Sequence, residues 1–217
     1  MILPILQRCI SLFLVISAIF IVISCDSEVR HESLKTGDLL FCGTGSDGLS
    51  KAIDAVTTTG GNNYSHVGIL VKSEGSFTVL HAYPEKGVCE ETLDSFVTQR
   101  KRQDIIIDVY RISELPAESL ENAVINSRKV IGEPYNFTYR LHDSGYYCSE
   151  LVYEAFSYDS IFELNDMTFK DSAGNIPQAW IDHYEDLGVT IPEGLPGCNP
   201  NGMAASEKLQ FITQLLP

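Results

Sequence analysis

Basic residues are scarce in this chain of 217 residues, in which 15 Lys and Arg stand against 29 Asp and Glu. The formal net charge is therefore −14. Proteins that bind nucleic acid gain much of their affinity by neutralising phosphates with Lys and Arg. Attraction to an anionic membrane surface needs the same residues. The composition argues against nucleic acid as a partner and against a polybasic membrane contact.

The sequence also lacks the CxxC pairs that hold structural zinc. Its cysteines stand at positions 9, 25, 42, 89, 148 and 198. His31, His142 and His183 show no ligand spacing either, so we predict no metal and no cofactor. We expect at most one disulfide, formed among Cys42, Cys89 and Cys198.

No apolar run reaches the roughly 20 residues that a membrane-spanning helix needs. The longest run, residues 9–24, follows Arg8 and is typical of a secretory signal. Its end, Val22-Ile23-Ser24-Cys25, resembles a bacterial lipobox, which implies that Cys25 is lipidated. We predict a signal peptide over residues 1–24, a lipidated tether over 25–33 and one globular domain over 34–217. The expected location is the bacterial cell envelope, with a plain signal peptide or an uncleaved anchor as the alternatives.

Hydrophobic patterning in the remaining chain predicts a mixture of strands and helices. Predicted strands cover residues 35–41, 65–71, 77–83 and 105–110, and predicted helices cover 49–56, 115–131, 147–158 and 207–216. Strands that come first and helices that follow indicate an α+β fold.

Cys148 opens one of the predicted helices. Leu151, Val152 and Ala155 follow it at i+3, i+4 and i+7, so the thiol shares the inward face. A cysteine in the first helical turn has its thiolate stabilised by the positive end of the helix. Its own N–H is a free donor for an oxyanion. Cys148 is therefore a candidate nucleophile, with a buried structural cysteine as the alternative.

His66 begins a predicted strand, where it shares a face with Gly68. A glycine beside it suggests that a helix terminus approaches there. If Val71 faces Ser76 across a four-residue loop, His66 lies directly opposite His81, and the second imidazole can orient the first. A loop of three residues would point His81 away, and a surface histidine is the alternative for His66.

Three motifs in this order resemble the YiiX/YebB-like branch of the NlpC/P60 superfamily. They are residues 36–41 (TGDLLF), 64–69 (YSHVGI) and 147–152 (YCSELV), and the resemblance extends from about residue 34 to residue 209. It implies a circularly permuted papain-like fold, with an antiparallel sheet or half-barrel packed on helices. In that fold the strand that carries the histidine precedes the helix that carries the cysteine.

The resemblance also implies cysteine-dependent hydrolysis of an amide. Cys148 would attack the carbonyl carbon as a thiolate, and His66 would carry its proton to the leaving amine. The third position is often Glu in this branch, whereas this chain has His81, as the relatives similar to lecithin:retinol acyltransferase do. Glu85 and Glu90 are the alternative third members.

Several further residues adjoin these motifs. Tyr147, Tyr64 and Ser149 are candidates for contacting the substrate or the oxyanion, although Tyr147 is equally suited to the core. We expect Glu150 to be a structural carboxylate and Asp38 to brace the turn before its strand.

The resulting hypothesis is a lipid-anchored amidase that cleaves a cell-wall peptide or a related amide. One alternative is an acyltransferase or lipid-amide hydrolase of the lecithin:retinol acyltransferase type. The other is a non-catalytic tethered binding module. The expected partners are a peptide or acyl-amide substrate and a membrane reached through the N-terminal lipid.

Overall fold

The computed structural model describes residues 33–58, 61 and 63–216. The predicted signal peptide and Cys25 lie outside these residues. The strands are β1 Leu39–Gly43, β2 Tyr64–Ser73, β3 Ser76–Tyr83, β4 Gly87–Thr92, β5 Ile107–Ile112, β6 Asn165–Asp166, β7 Pro196–Gly197 and β8 Leu209–Leu216. The helices are α1 Gly48–Thr57, α2 Leu93–Lys101, α3 Ala117–Lys129, α4 Cys148–Ala155, α5 Gln178–Leu187 and α6 Pro200–Ala204.

The larger sheet of the described chain has the strand order β4-β3-β2-β1-β5-β8, and every neighbouring pair is antiparallel. Helix α4 packs on one face of it. Phe41 of β1 and Val67 and Ile69 of β2 lie in one core with Leu151 and Val152 of α4. The predicted α+β class is confirmed, and the apolar face of α4 is the one that its spacing indicated.

The hairpin between β2 and β3 has a shorter turn than expected. Glu74 and Gly75 form a two-residue turn with φ of 49° and 86°, which is typical of a type I′ hairpin. The predicted four-residue loop is therefore wrong, and His81 lies opposite Gly68 rather than opposite His66. Because the register slips by two residues, His66 and His81 still share one face of the sheet.

The end of the chain is a strand rather than a helix. The sequence predicts a helix over residues 207–216, but this segment forms β8. It pairs with the edge strand β5, with Phe211 opposite Tyr110. Their rings make an edge contact with centroids 5.5 Å apart. Pairing with an open sheet edge outweighs local propensity for this segment. No helix among the described residues has the length and apolar character needed to cross a membrane.

Asp38 braces the start of β1, as the sequence predicted. Its fully buried carboxylate accepts a hydrogen bond from the N–H of Lys35 at 2.8 Å. It also accepts two from the guanidinium of Arg111 on β5, at 2.6 and 2.8 Å. The turn before β1 is thereby tied to the neighbouring strand.

Glu150 is a structural carboxylate, also as predicted. It is buried in the first turn of α4 and accepts hydrogen bonds from the N–H of Tyr147 at 3.2 Å and of His142 at 3.1 Å. A third comes from the side-chain amide of Asn136 at 3.1 Å. These bonds hold the preceding loop on the helix start, which positions Cys148.

We expect Glu150→Ala to lower the free energy of unfolding by about 2–4 kcal/mol, because three hydrogen-bond donors, two of them buried, lose their acceptor. Urea denaturation followed by circular dichroism measures the change. Glu185→Ala, at an exposed position of α5, is the control and should stay within about 0.5 kcal/mol of the native protein. A Glu150→Ala protein as stable as this control would contradict the capping role.

Candidate active site

Cys148 is the first residue of α4 and lies in the wall of a cavity of about 550 Å³. Burial raises the pKa of its thiol to about 11, although N–H groups of Val67 and Ser149 act in the opposite direction. The helix start acts in the expected direction, but desolvation of the thiolate outweighs it, so the pKa of the thiol is raised. In the free protein Cys148 is a neutral thiol.

His66 and His81 form a hydrogen-bonded pair on the other face of the sheet. Nε2 of His66 lies 3.0 Å from Nδ1 of His81, and the two rings meet edge to face. Phe96 of α2 packs against both rings, with centroids 6.2 and 5.2 Å away. The structure thus brings together the two histidines that the sequence singled out.

Glu91 extends this pair into a chain of three side chains. Its Oε1 lies 3.1 Å from Nε2 of His81, and its Oε2 accepts from Ser95 at 2.9 Å and Gln99 at 3.0 Å. The hydrogen bond from His81 is the main reason that the pKa of Glu91 falls to about 2. The carboxylate is therefore ionised and acts only as an acceptor.

These contacts determine which nitrogen of each imidazole carries the proton. Burial lowers the pKa of His81 and lowers that of His66 well below its usual value, so both rings are neutral. An ionised carboxylate cannot donate, so Nε2 of His81 carries the hydrogen and its Nδ1 accepts. Nε2 of His66 must then donate to His81. Nδ1 of His66 is left as an unprotonated base.

The structure does not bond Cys148 directly to His66. Within the part of the chain that it describes, no hydrogen bond joins the Cys148 thiol to the His66 imidazole. The link is the next residue, Val67, whose N–H points to the thiol. The pairing of β2 with β3 begins at Ile69 and Leu80, so the first residues of β2 lack that neighbour where α4 starts.

Gly68 has a different role from the expected one. A Cβ atom built there would lie 2.7 Å from a methyl group of Val79 and 3.1 Å from Cβ of His81. The glycine therefore makes room for residues of β3 rather than for a helix terminus. A side chain at this position would displace His81.

The alternative third members lie elsewhere. Glu85 is exposed in the turn between β3 and β4. Glu90 binds the guanidinium of Arg128 at 2.7 and 2.9 Å and accepts from Thr78. Of the residues proposed for this position, the structure places His81 beside His66. Sequence reasoning missed Glu91, which alternation along β4 would have indicated had that strand been predicted.

The hydroxyl groups proposed to contact substrate are already engaged. The Tyr147 hydroxyl contacts Cys198, with its oxygen 3.7 Å from Sγ and accepting the N–H at 3.4 Å. Ser149 donates to the Cys198 carbonyl at 3.1 Å, and Tyr64 donates to Asp108 at 2.5 Å.

Tyr135, which was not among the proposed site residues, has its hydroxyl hydrogen-bonded to that of Tyr139. It lines the same cavity, with its hydroxyl oxygen beside the N–H of Cys148. Tyr135 lies within the span of the resemblance but outside its three motifs.

Comparison with known proteins defines the class. A thiol at a helix start and imidazoles on an antiparallel sheet are features of papain-like enzymes. Residues 33–213 match the model of the permuted papain-like amidase family YaeF/YiiX, C92, and the chain belongs to that family. It is therefore a cysteine-dependent hydrolase, and the predicted resemblance and fold are confirmed.

One solved structure shows the same fold. The crystal structure of the metalloprotein YiiX from Escherichia coli O157:H7 aligns with a TM-score of 0.70 at 23% identity. The alignment covers 85% of this chain and 99% of that one. No curated protein matches this sequence. Among residues 33–58, 61 and 63–216, no group of three or more His, Cys, Asp or Glu is arranged to hold a metal ion.

We expect iodoacetamide to alkylate Cys148 slowly at neutral pH and about tenfold faster for each unit of pH from 6 to 9.5. The reason is that only the thiolate reacts, and a pKa of about 11 keeps it scarce throughout this range. Mass analysis of the Cys148 peptide gives the rate, with free cysteine as the reference. A rate that is constant from pH 6 upward would reveal a preformed thiolate–imidazolium pair and contradict the neutral resting state.

Proposed function

We propose that Cys148 is the nucleophile of this amide hydrolase, that His66 is its general base, and that His81 and Glu91 hold His66 in the reactive tautomer. The observation that carries the proposal is the hydrogen-bonded chain from Glu91 through His81 to His66. It leaves Nδ1 of His66 unprotonated and close in sequence to the strand segment that contacts Cys148.

In the proposed reaction the thiol loses its proton as it attacks. Sγ of Cys148 bonds to the carbonyl carbon while Nδ1 of His66 takes the thiol proton. This transfer requires the two side chains to approach each other at the end of β2 that β3 does not cover, because in the free protein they lie on opposite faces of the sheet. His66 then gives the proton to the leaving nitrogen as the C–N bond breaks. Water, deprotonated by His66, cleaves the thioester and restores the thiol.

The oxyanion of the tetrahedral intermediate needs hydrogen-bond donors beside Sγ of Cys148. The N–H of Cys148 lies at the helix start, where backbone donors have no partner within the helix. Tyr135 stands beside this N–H and carries a hydroxyl whose pKa burial raises well above its usual value. A protonated hydroxyl is a donor, so Tyr135 and the N–H of Cys148 together suit the developing negative charge.

We further propose that the substrate is an amide of the cell envelope. The support is the Val22–Cys25 pattern, which would tether the enzyme to a membrane by a lipid on Cys25. Two substrate classes suit an anchored enzyme, namely a cell-wall peptide and an acylated amine. They differ in charge and polarity, so the cavity beside Cys148 is the feature that discriminates between them.

Replacing the proposed nucleophile should abolish turnover. We expect Cys148→Ala to have no detectable activity on fluorogenic aminomethylcoumarin amides, and His66→Ala to lose about 10²–10⁴-fold in kcat. Circular dichroism verifies that both variants are folded. Native turnover by Cys148→Ala would overturn the assignment and favour the binding-module alternative.

A separate prediction concerns Glu91 as a positioning residue. We expect Glu91→Leu to reduce kcat by about 10–100-fold, because His81 loses the acceptor that fixes its tautomer. Nitrogen-15 NMR of the imidazoles should show the Nε2–H tautomer in the native protein and a mixture in the variant. Glu91→Asp should restore part of the activity.

The matched control is Glu90→Leu, which removes the neighbouring carboxylate that binds Arg128. Its imidazole spectrum and kcat should stay native. Equal losses in the two variants, with unchanged tautomers, would assign Glu91 a purely structural role.

A further inference from the structure

Arg100 is a buried cation in the layer that covers the two histidines. It lies in the last turn of α2, which packs over this face of the sheet. Its Nη1 lies 3.4 Å from Oε1 of Glu91, the same oxygen that accepts from Nε2 of His81 at 3.1 Å. Burying a guanidinium group is costly, and a single carboxylate shared at this distance compensates for it only in part. The position of this charge therefore calls for a reason beyond packing.

Two aromatic rings hold the guanidinium against the histidine pair. Its Cζ lies 3.6 Å from the ring centroid of Phe96 and 5.6 Å from that of Tyr83, and its Nη1 donates to the Phe96 carbonyl at 3.3 Å. The ring of Phe96 contacts His66 and His81 at 6.2 and 5.2 Å. The ring of Tyr83 contacts them at 6.1 and 5.8 Å. A fixed positive charge thus stands one aromatic ring away from both imidazoles.

The thiol and phenol groups around the pair bring no charge to it. Sγ of Cys89 on β4 lies 3.5 Å from Nε2 of His81. Cys42 on β1 stands directly opposite His66. Burial raises the pKa of both thiols and that of the Tyr83 hydroxyl, so all three groups are neutral at pH 7.

The charged side chains that act on the pair are Glu91 on β4, Lys86 in the turn between β3 and β4, and Arg100 on α2. Glu91 favours a proton on His81, and the two cations oppose it. Lys86 lies 3.4 Å from Oε2 of Glu91, but its side chain is 49% exposed, so water weakens its effect. Arg100 is buried and is screened much less. Burial is the main reason that the pKa of both imidazoles is lowered, and Arg100 acts in the same direction.

A proton taken up by the pair would disable the base. One proton from solvent binds at Nδ1 of His66, while the proton on its Nε2 moves along the hydrogen bond to Nδ1 of His81. His81 is then an imidazolium that donates through both nitrogens, to Glu91 and to His66. Nε2 of His66 becomes an acceptor, and its Nδ1 carries the hydrogen. The atom that takes the proton of the Cys148 thiol then has no free lone pair.

We propose that Arg100 is a positioning residue of this hydrolase, which keeps the His66–His81 pair neutral and so keeps Nδ1 of His66 free to act as the base. The inference rests on the proposed function of His66, and it adds the group that sets the acid limit of the activity. Arg100 does not touch the substrate. It acts through the Glu91 oxygen that it shares with His81 and through its charge beside the two rings.

The test removes the charge and keeps the bulk of the side chain. In Arg100→Met the acid limb of the kcat/KM profile on fluorogenic aminomethylcoumarin amides should move up by at least about one pH unit, because a neighbouring charge shifts a pKa by about 1–3 units. At pH 5.5 the variant should therefore be at least about tenfold slower than the native protein. Most of this loss should disappear at pH 8.5. Arg100→Lys restores a cation and should return the limb toward its native position.

Nitrogen-15 NMR of the imidazoles separates this role from a structural one. At pH 6 the native protein should show a neutral His81 and the Nε2–H tautomer of His66. Arg100→Met should show an imidazolium at His81 and the Nδ1–H tautomer of His66. Arg102→Met, at the exposed position directly after α2, is the matched control and should keep the native spectrum and pH profile.

The outcomes separate this inference from the function on which it rests. Arg100→Met with equal losses at every pH and native tautomers would overturn the positioning role. If Arg100→Met does not fold, Arg100→Gln, which keeps an N–H donor without the charge, is read in the same way. An imidazolium at His81 of the native protein at pH 6 would also overturn it. The expected tautomer change in a native protein that cleaves no amide would overturn the proposed base and leave the control of the proton by Arg100 standing.

Discussion

The hydrogen bond between His81 and Glu91 is the constraint on which the site depends. The carboxylate of Glu91 accepts a hydrogen bond from Nε2 of His81. Nδ1 of His81 must therefore accept from Nε2 of His66. Ser95 and Gln99 of α2 hold the other carboxylate oxygen, so the helix that follows β4 sets the orientation of two imidazoles it does not itself supply. The ring nitrogen of His66 that carries the proton is thus determined by the packing around Glu91, two strands away on β4.

The two halves of the site are built on opposite sides of the sheet. Val67 and Ile69 join the core formed with α4, whereas His66, which alternates with them, packs against Phe96 of α2. The thiol and the base are consequently prepared separately and both remain neutral. The two groups can come together only at the end of β2 that β3 does not cover, where α4 starts.

Local signals in the sequence predicted those parts of the structure that depend on neighbouring residues. The spacing of Leu151 and Val152 indicated the inward face of α4, and the chemistry of Glu150 at a helix start indicated a cap. Features that depend on distant pairing were not predictable in the same way. The helix expected at residues 207–216 is a strand because the edge of β5 was open, and a single sequence does not reveal that edge.

In the candidate site, too, the features that depend on neighbouring residues were predictable and those that depend on distant contacts were not. The alternation of side chains along β2 and β3 predicted that His66 and His81 lie on one face. That prediction holds although the turn length was wrong, because a shift of two residues in register leaves each side chain on the same face. The raised pKa of the Cys148 thiol was not predictable from the sequence, because burial depends on the whole fold. Glu91 was missed because its role is visible only when β4 lies beside β3 and α2 covers both.

The high pKa of the Cys148 thiol has a consequence for the lifetime of the enzyme. Peroxides and disulfides react with thiolates, and oxidation beyond the sulfenic acid is largely irreversible. The proposed nucleophile ionises only while it attacks a bound carbonyl, so it presents almost no thiolate to these oxidants between turnovers. The burial that makes the Cys148 thiol weakly reactive in the free protein therefore also protects it from oxidation.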